Sequence, residues 1–305
     1  MKIKYSPSFV LSLICALLMV APAVCDAQMR RMPHAFTNWQ STPEMRHATI
    51  AVEICDLHTG EVIYQQDEQR SVQPASLLKL FTTGAAMRLL GADYIIPDSV
   101  PCADSTCVPL PQLIGYNPDW LIEDVESDYV KPLTTIPDAG LSLREFVKKT
   151  NEKSLNENAE LLPYLISGNC TLASGIDSIR TYWKSRGLDT DALVMYDGCG
   201  LAPADRITAH LMTQLLFEMK DDTEFRNSLA VAGLTGTVMY FLRSSCLMGK
   251  AQLKTGTTKS VVAYAGYVTG TDKREYSVVF IVNNSTAKVQ TIRKNIEKMF
   301  LLLIP

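Results

Sequence analysis

The pattern of apolar residues predicts an α+β fold, with one antiparallel sheet assembled from segments near both ends of the chain around a block of helices. Three observations carry this. A half-alternating, β-branched run at residues 47–55 opens the ordered part of the chain, and three further strand patterns cluster between residues 251 and 283. Between them the period changes from two to that of helices.

The first strand is His47-Ala-Thr-Ile-Ala-Val-Glu-Ile-Cys55, followed by a turn at Asp56-Leu-His-Thr-Gly60 and a second strand from Glu61 to Tyr64, which together make a hairpin. From Ser76 to Leu90 the chain is apolar nearly all round, the signature of a helix buried on most sides. Pro74 and Gly91 punctuate its two ends. Residues 92–140 are rich in Pro and Asp and follow neither period. Helical patterns resume at Ser142–Thr150, Ser154–Ser167, Gly175–Arg186 and Thr208–Met219. Ala251–Gly256, Val261–Thr269 and Tyr276–Asn283 then read as strands. A closing amphipathic helix carries Val289, Ile292, Ile296, Met299 and Leu303 on one stripe. There is no internal repeat.

With 305 residues the chain can bury a full core. Hydrophobic residues make up 47% and charged residues 20%, ordinary values for a folded protein. A formal net charge of −3 provides no basic excess to neutralise phosphates, which argues against a nucleic-acid partner. At the N-terminus, Lys2 and Lys4 precede an apolar run from Phe9 to Val20 and small residues through Ala27. That order predicts a secretory signal peptide over residues 1–27, then a linker over 28–46 and one domain over 47–305. The expected location is therefore exported, in the periplasm or cell envelope, without a stable transmembrane anchor. Val24 before Cys25 fits a lipidation signal poorly. Six cysteines follow the leader, and in an exported protein that even count permits three disulfides. Cys102 and Cys107, with four residues between them, form the expected local bridge. Neither the cysteine spacings nor the scattered histidines make a zinc pattern, so no metal is expected.

Three short motifs stand in order: Ser76-Leu-Leu-Lys79 at the start of the buried helix, Ser154-Leu-Asn156 opening a later one, and Lys254-Thr-Gly-Thr257 on a strand. Each has a plain reading by itself, as helix capping or as an edge-strand lysine with a turn glycine. Together they assemble a chemistry. Residues i and i+3 share a helix face, so Lys79 comes up beneath Ser76. A serine hydroxyl needs a base to become a nucleophile, and a desolvated lysine can be that base. The helix start adds backbone N–H groups where negative charge develops. Ser154 and Asn156 offer a proton relay and an amide grip on the substrate backbone. Lys254 and Thr255 offer a cation and a hydroxyl for a carboxylate, with Gly256 where backbone must approach closely.

The trio resembles the S-x-x-K, S-x-N and K-T-G set of serine penicillin-binding proteins and β-lactamases. Further segments narrow the likeness: Asp56–Tyr64, Pro74–Leu80, Asn151–Asn156, Tyr196-Asp-Gly-Cys-Gly-Leu201 with Ile207-Thr208, Ala232–Thr237, and Ala263–Tyr267. Together they are similar to the D-alanyl-D-alanine carboxypeptidase/endopeptidase family, the class C low-molecular-mass penicillin-binding proteins, over most of residues 47–290. The resemblance implies the penicillin-binding/β-lactamase fold, with an antiparallel sheet flanked by helices and a helical subdomain. It implies Ser76 as acyl-enzyme nucleophile, Lys79 as its base and Ser154 as proton shuttle. Asn156 would hold the substrate amide, Lys254 and Thr255 the terminal carboxylate, and the N–H groups of Ser76 and Thr257 the oxyanion. The implied partners are peptidoglycan stem peptides and, as covalent inhibitors, β-lactams; no cofactor is implied. A β-lactamase-like hydrolase and a non-catalytic wall-peptide binder are the alternatives. Two departures stand out. Only residues 80–153 separate the first two motifs, where the family carries large inserted domains, and Cys199 stands where the family has a small hydroxyl residue.

Overall fold

The computed structural model describes residues 34–101, 107–109, 138–168 and 171–304. The signal peptide expected over residues 1–27 lies outside them, as does Cys102 of the expected local disulfide.

A six-stranded sheet forms the centre. Its strands are β1 (Thr49–Asp56), β2 (Val62–Gln66), β5 (Ala230–Val231), β6 (Ala251–Thr257), β7 (Val261–Thr269) and β8 (Glu275–Asn283), in the spatial order β2-β1-β8-β7-β6-β5. Every neighbouring pair is antiparallel. The N-terminal hairpin thus docks against the C-terminal strands, with Ile54 opposite Val278 and Val52 opposite Phe280. β3 (Ser99–Pro101) and β4 (Cys107–Pro109) pair separately.

Both faces of the sheet are covered, which is why β7 and β8 read as continuous apolar runs rather than as strict alternation. Ala51, Val261, Ala263, Ala265, Tyr267, Val279 and Ile281 point to one face. There they meet the helices α1 (Lys79–Leu90), α4 (Leu172–Ser185) and α5 (Ala209–Glu218). The intervening residues Val52, Ile54, Val262, Tyr264, Val278 and Phe280 face a second core closed by α7 (Val289–Leu303) through Ile292, Ile296, Met299 and Phe300. A third cluster joins α1 to α2 (Leu143–Lys153) and α3 (Asn156–Ser167), through Ala86, Phe146, Val147, Leu161 and Leu162. This is the helical subdomain. Short α6 (Thr223–Asn227) leads into β5.

Local signals explain several boundaries. Ser142 and Glu145 form a reciprocal capping box at the start of α2. Thr208 caps α5 by accepting the Leu211 N–H at 3.0 Å. Two expectations need correction. The expected linker does not extend through residue 46: residues 34–40 are helical, and Phe36, Trp39 and Met45 are buried in the α7-side core. Their apolar side chains gain more from the core than from water. Nor are the three disulfides that the cysteine count permits all formed. Cys55, Cys199 and Cys246 are free thiols. Cys55 lies on β1 near Ser277 and Glu53, whereas Cys199 lies in a loop against Glu160 and Asp197, so each has other neighbours.

Candidate active site

The Ser76 segment is a short 3₁₀ turn, Ala75–Leu78, and the α-helix begins only at Lys79. This corrects the expectation that Ser76 opens the helix itself. The tighter turn matters, because residues i and i+3 eclipse in 3₁₀ geometry. It sets the Lys79 Nζ 2.9 Å from Ser76 Oγ. Ala75, just before the serine, sits at φ 48°, a left-handed conformation that costs a non-glycine residue energy and persists only where its surroundings hold it. Two glycines supply that constraint. A Cβ on Gly200 would lie 1.9 Å from the Ala75 carbonyl oxygen, and one on Gly256 would lie 2.8 Å from that of Pro74. The serine turn is clamped between the 196–202 loop and strand β6.

Lys79 is fully buried and donates to three acceptors: Ser76 Oγ, Asn156 Oδ1 at 2.7 Å and the Cys199 carbonyl at 2.8 Å. Two of these can only accept. A neutral Lys79 amine that keeps both therefore turns its lone pair toward the third, the Ser76 hydroxyl. Burial favours that neutral form by holding the amine below the ordinary lysine range, against the opposing influence of Cys199, Asp197 and Glu160.

The second motif divides between two elements. Ser154 ends α2 in a left-handed conformation at φ 61°, and Asn156 begins α3. Ser154 is thus a C-terminal cap residue rather than the opening of the later helix. The reversal between the helices turns Ser154 toward Lys254 and Asn156 toward Lys79.

Lys254, on β6, is also fully buried. It donates to Ser154 Oγ at 2.8 Å and to the Thr255 carbonyl at 2.7 Å. Its amine is held well below the ordinary range by burial and then by the charge of Lys79. The Thr255 hydroxyl donates to Thr237 Oγ1 at 2.8 Å. Thr257, at the exposed end of β6, accepts from Arg293 Nη2 at 3.1 Å. The structure therefore brings Ser76, Lys79, Ser154, Asn156, Lys254, Thr255, Gly256 and Thr257 to one place, where the 3₁₀ turn, the α2–α3 junction and β6 meet.

Behind Lys79 lies a group that motif reading does not single out. Asp197 accepts backbone N–H bonds from Cys199 (3.0 Å), Gly200 (2.6 Å), Leu201 (2.9 Å) and Ala202 (2.6 Å). This folds the loop so that the Cys199 carbonyl faces Lys79. The Gly198 N–H donates to Glu160 at 3.0 Å, and the Gly198 carbonyl accepts from Thr82 at 2.8 Å. Burial and then the charge of Asp197 push Glu160 up to about 8, and the same two causes push Asp205 to about 10. Both carboxyls hold their protons at neutral pH. Glu160, Asp197 and Cys199 bring three donor atoms within 4.8 Å of one another. They do not suit a cation, since both Asp197 oxygens are already filled by backbone N–H groups and burial keeps the Cys199 thiol protonated. Thr237 lies in the quoted 232–237 segment. Nothing in the local sequence points to Arg293.

The sequence profile of the D-Ala-D-Ala carboxypeptidase 3 (S13) family matches residues 36–103 and 118–301. A D-alanyl-D-alanine carboxypeptidase from an Actinomadura species is 31% identical over 183 residues, 56% of this chain and 32% of that protein. The chain thus spans about a third of the length of the curated relative it matches. Among solved structures, penicillin binding protein 4 from Haemophilus influenzae, complexed with a β-lactam, is similar at a TM-score of 0.67 and 14% identity, covering 85% of this chain and 96% of that one. A class A β-lactamase from Bacteroides cellulosilyticus is similar at a TM-score of 0.64 and 16% identity, covering 92% and 97%. These two likenesses establish the penicillin-binding/β-lactamase fold. The profile match spans most of the chain, its two segments enclose all three motifs, and the chain belongs to the D-Ala-D-Ala carboxypeptidase 3 (S13) family.

Proposed function

We propose that this chain is a serine-type D-Ala-D-Ala carboxypeptidase that trims peptidoglycan stem peptides through an acyl-enzyme on Ser76. The observation that carries the reading is the Lys79 amine, 2.9 Å from Ser76 Oγ, with two further bonds to groups that can only accept. Neutral Lys79 takes the hydroxyl proton as Ser76 Oγ attacks the carbonyl carbon of the penultimate D-Ala. The carbonyl oxygen becomes an oxyanion, received by the backbone N–H groups of Ser76 and Thr257. The C–N bond then breaks, and the leaving amine takes the proton that Lys79 accepted, relayed through Ser154, whose Oγ the Lys254 amine holds at 2.8 Å. Water hydrolyses the resulting ester, delivering its proton back through Lys79 and freeing Ser76. Asn156 holds the substrate amide, while Lys254 and Thr255 meet its terminal carboxylate. β-Lactams enter the same path and stop at the acyl-enzyme.

A fast β-lactamase needs a base to activate the deacylating water. Glu160 follows the second motif but keeps its proton up to about pH 8 and is engaged by the Gly198 N–H, which favours slow release. Residues 1–27 act as an export signal in this reading and place the catalytic domain, whose core already includes Phe36, Trp39 and Met45, in the cell envelope. Among the described residues no helix is long and apolar enough to cross a membrane.

The test is D-Ala release from a pentapeptide ending in D-Ala-D-Ala. The wild-type chain is expected to release D-Ala and Ser76→Ala to release none. Equal release by both, or none by the wild type, contradicts the reading.

A further inference from the structure

We propose that Glu160 is a positioning residue for acylation: it acts on Lys79 through the Gly198–Cys199 segment, and the gain or loss of its proton sets how readily Lys79 serves as base. The inference rests on the acyl-enzyme reading above, and it concerns what governs the base.

The three acceptors of Lys79 do not include Glu160; a piece of loop joins the two. Gly198 lies flat on α3, where a Cβ would come 2.4 Å from the Ala159 carbonyl oxygen and 3.1 Å from Pro163 Cγ. Only glycine permits that approach, and it brings the Gly198 N–H to the Glu160 carboxyl at 3.0 Å. On its other side the Gly198 carbonyl accepts from Thr82 of α1 at 2.8 Å. One residue on, Cys199 offers its carbonyl to Lys79 at 2.8 Å, while its thiol is hydrogen-bonded to the Glu160 carboxyl. Glu160 thus grips both residues of the segment that holds the Lys79 amine.

The same packing decides where negative charge sits. Asp197 accepts four backbone N–H bonds, whereas Glu160 accepts one among the described residues. Backbone N–H groups stabilise a carboxylate, so the charge of the pair rests on Asp197 and Glu160 keeps its proton. Once Glu160 ionises, a second negative charge stands behind Lys79 and favours the ammonium, which cannot take the Ser76 proton. The other ionisable groups around this space come from several elements. Tyr164 shares α3 with Glu160, and Asp205 and the Cys199 thiol, in the loop, are held protonated by burial. Glu157 acts on Lys79 from the start of α3, and Lys254 does so from β6. Glu160 itself changes charge around pH 8, before an ordinary lysine would.

Stopped-flow labelling by a penicillin, from about pH 6 to about pH 9, compares the wild type with Glu160→Gln, whose amide oxygen still accepts a backbone N–H. The quantity read is the ratio of the variant's rate to that of the wild type. It is expected to rise roughly 3–10-fold across that range, the effect of taking one nearby negative charge away from Lys79. A ratio that stays constant with pH, whatever its size, is what a purely structural role gives, and it overturns the proposal. Thermal midpoints show whether the variant is folded. If it is not, the wild-type profile decides. Its log rate is expected to climb with a slope below one above about pH 8, because two coupled groups titrate together. A slope of one up to a single plateau overturns the proposal. A wild type that is not labelled at all overturns the acyl-enzyme reading and this inference with it, whereas labelling with a constant ratio overturns this inference alone.

Discussion

Replacing Asp197 with Asn removes one charge and one acceptor oxygen from a side chain that holds a whole loop. The carboxylate accepts four backbone N–H bonds, two on each oxygen. An asparagine keeps one oxygen, so two N–H groups lose their acceptor and confront an amide NH₂ instead. Each orphaned, buried donor costs about 1–3 kcal/mol, which makes about 2–6 kcal/mol for the pair. The damage reaches the active site because the same loop aims the Cys199 carbonyl at Lys79, 2.8 Å away, and presses Gly200 against Ala75. Without that carbonyl, the amine is freer to turn its lone pair away from Ser76. Urea unfolding of wild type and Asp197→Asn, together with the second-order rate of labelling by a fluorescent penicillin, measures both effects. The expected outcome is a lower unfolding midpoint by the stated energy and labelling slower by at least about tenfold. A variant within about 1 kcal/mol of wild type that labels at the wild-type rate would refute the argument that Asp197 shapes the site.

Three further outcomes follow from the same geometry. The acylation rate is expected to rise with pH as Lys79 loses its proton, with a midpoint below the 10.4 or so of free lysine, and Lys79→Arg is expected to lose about 10²–10⁴-fold at every pH, read by stopped-flow labelling. Gly200→Ala places a Cβ 1.9 Å from the Ala75 oxygen at a φ of +86°, and is expected to cost about 3 kcal/mol or more in urea unfolding and to slow labelling. Glu160 titrates near 8 when folded and near 4.5 when unfolded, so the folded chain binds more protons between those values and stability falls as pH rises through them. Glu160→Gln is expected to remove the Glu160 share of that fall when unfolding midpoints at pH 5 and pH 8.5 are compared; the share of Asp205, pushed to about 10 and so at least as large over this interval, stays in the variant.

The parts of this molecule written in local periodicity were legible in its sequence. β7 and β8 and the helices α1 to α5 lie within a few residues of the expected spans, because their apolar patterns run long enough to distinguish the two periods. The three motifs converge because each is tied to an element boundary that the sequence marks. What escaped notice depends on distance along the chain or on too few residues. A 3₁₀ turn of four residues at Ala75–Leu78 cannot be told from the first turn of a helix by its pattern. The left-handed Ser154 ends one helix where the serine invited reading as the start of the next. Phe36 and Trp39 sit in a stretch too short and polar to announce a helix, yet they complete a core built mostly from the C-terminal third. The roles of Asp197 and Glu160 follow from a loop folding beneath Lys79, and Arg293 meets Thr257 only because α7 packs back over the sheet.

The central claim is that Lys79 makes Ser76, and no other residue, the nucleophile. Intact-mass analysis after incubation with a penicillin, followed by peptide mapping, tests it most directly. The account predicts a single adduct carried by the peptide that contains Ser76, absent from Ser76→Ala and strongly reduced in Lys79→Arg, with slow loss on standing. An unlabelled wild-type protein, or an adduct that persists in Ser76→Ala, would contradict it.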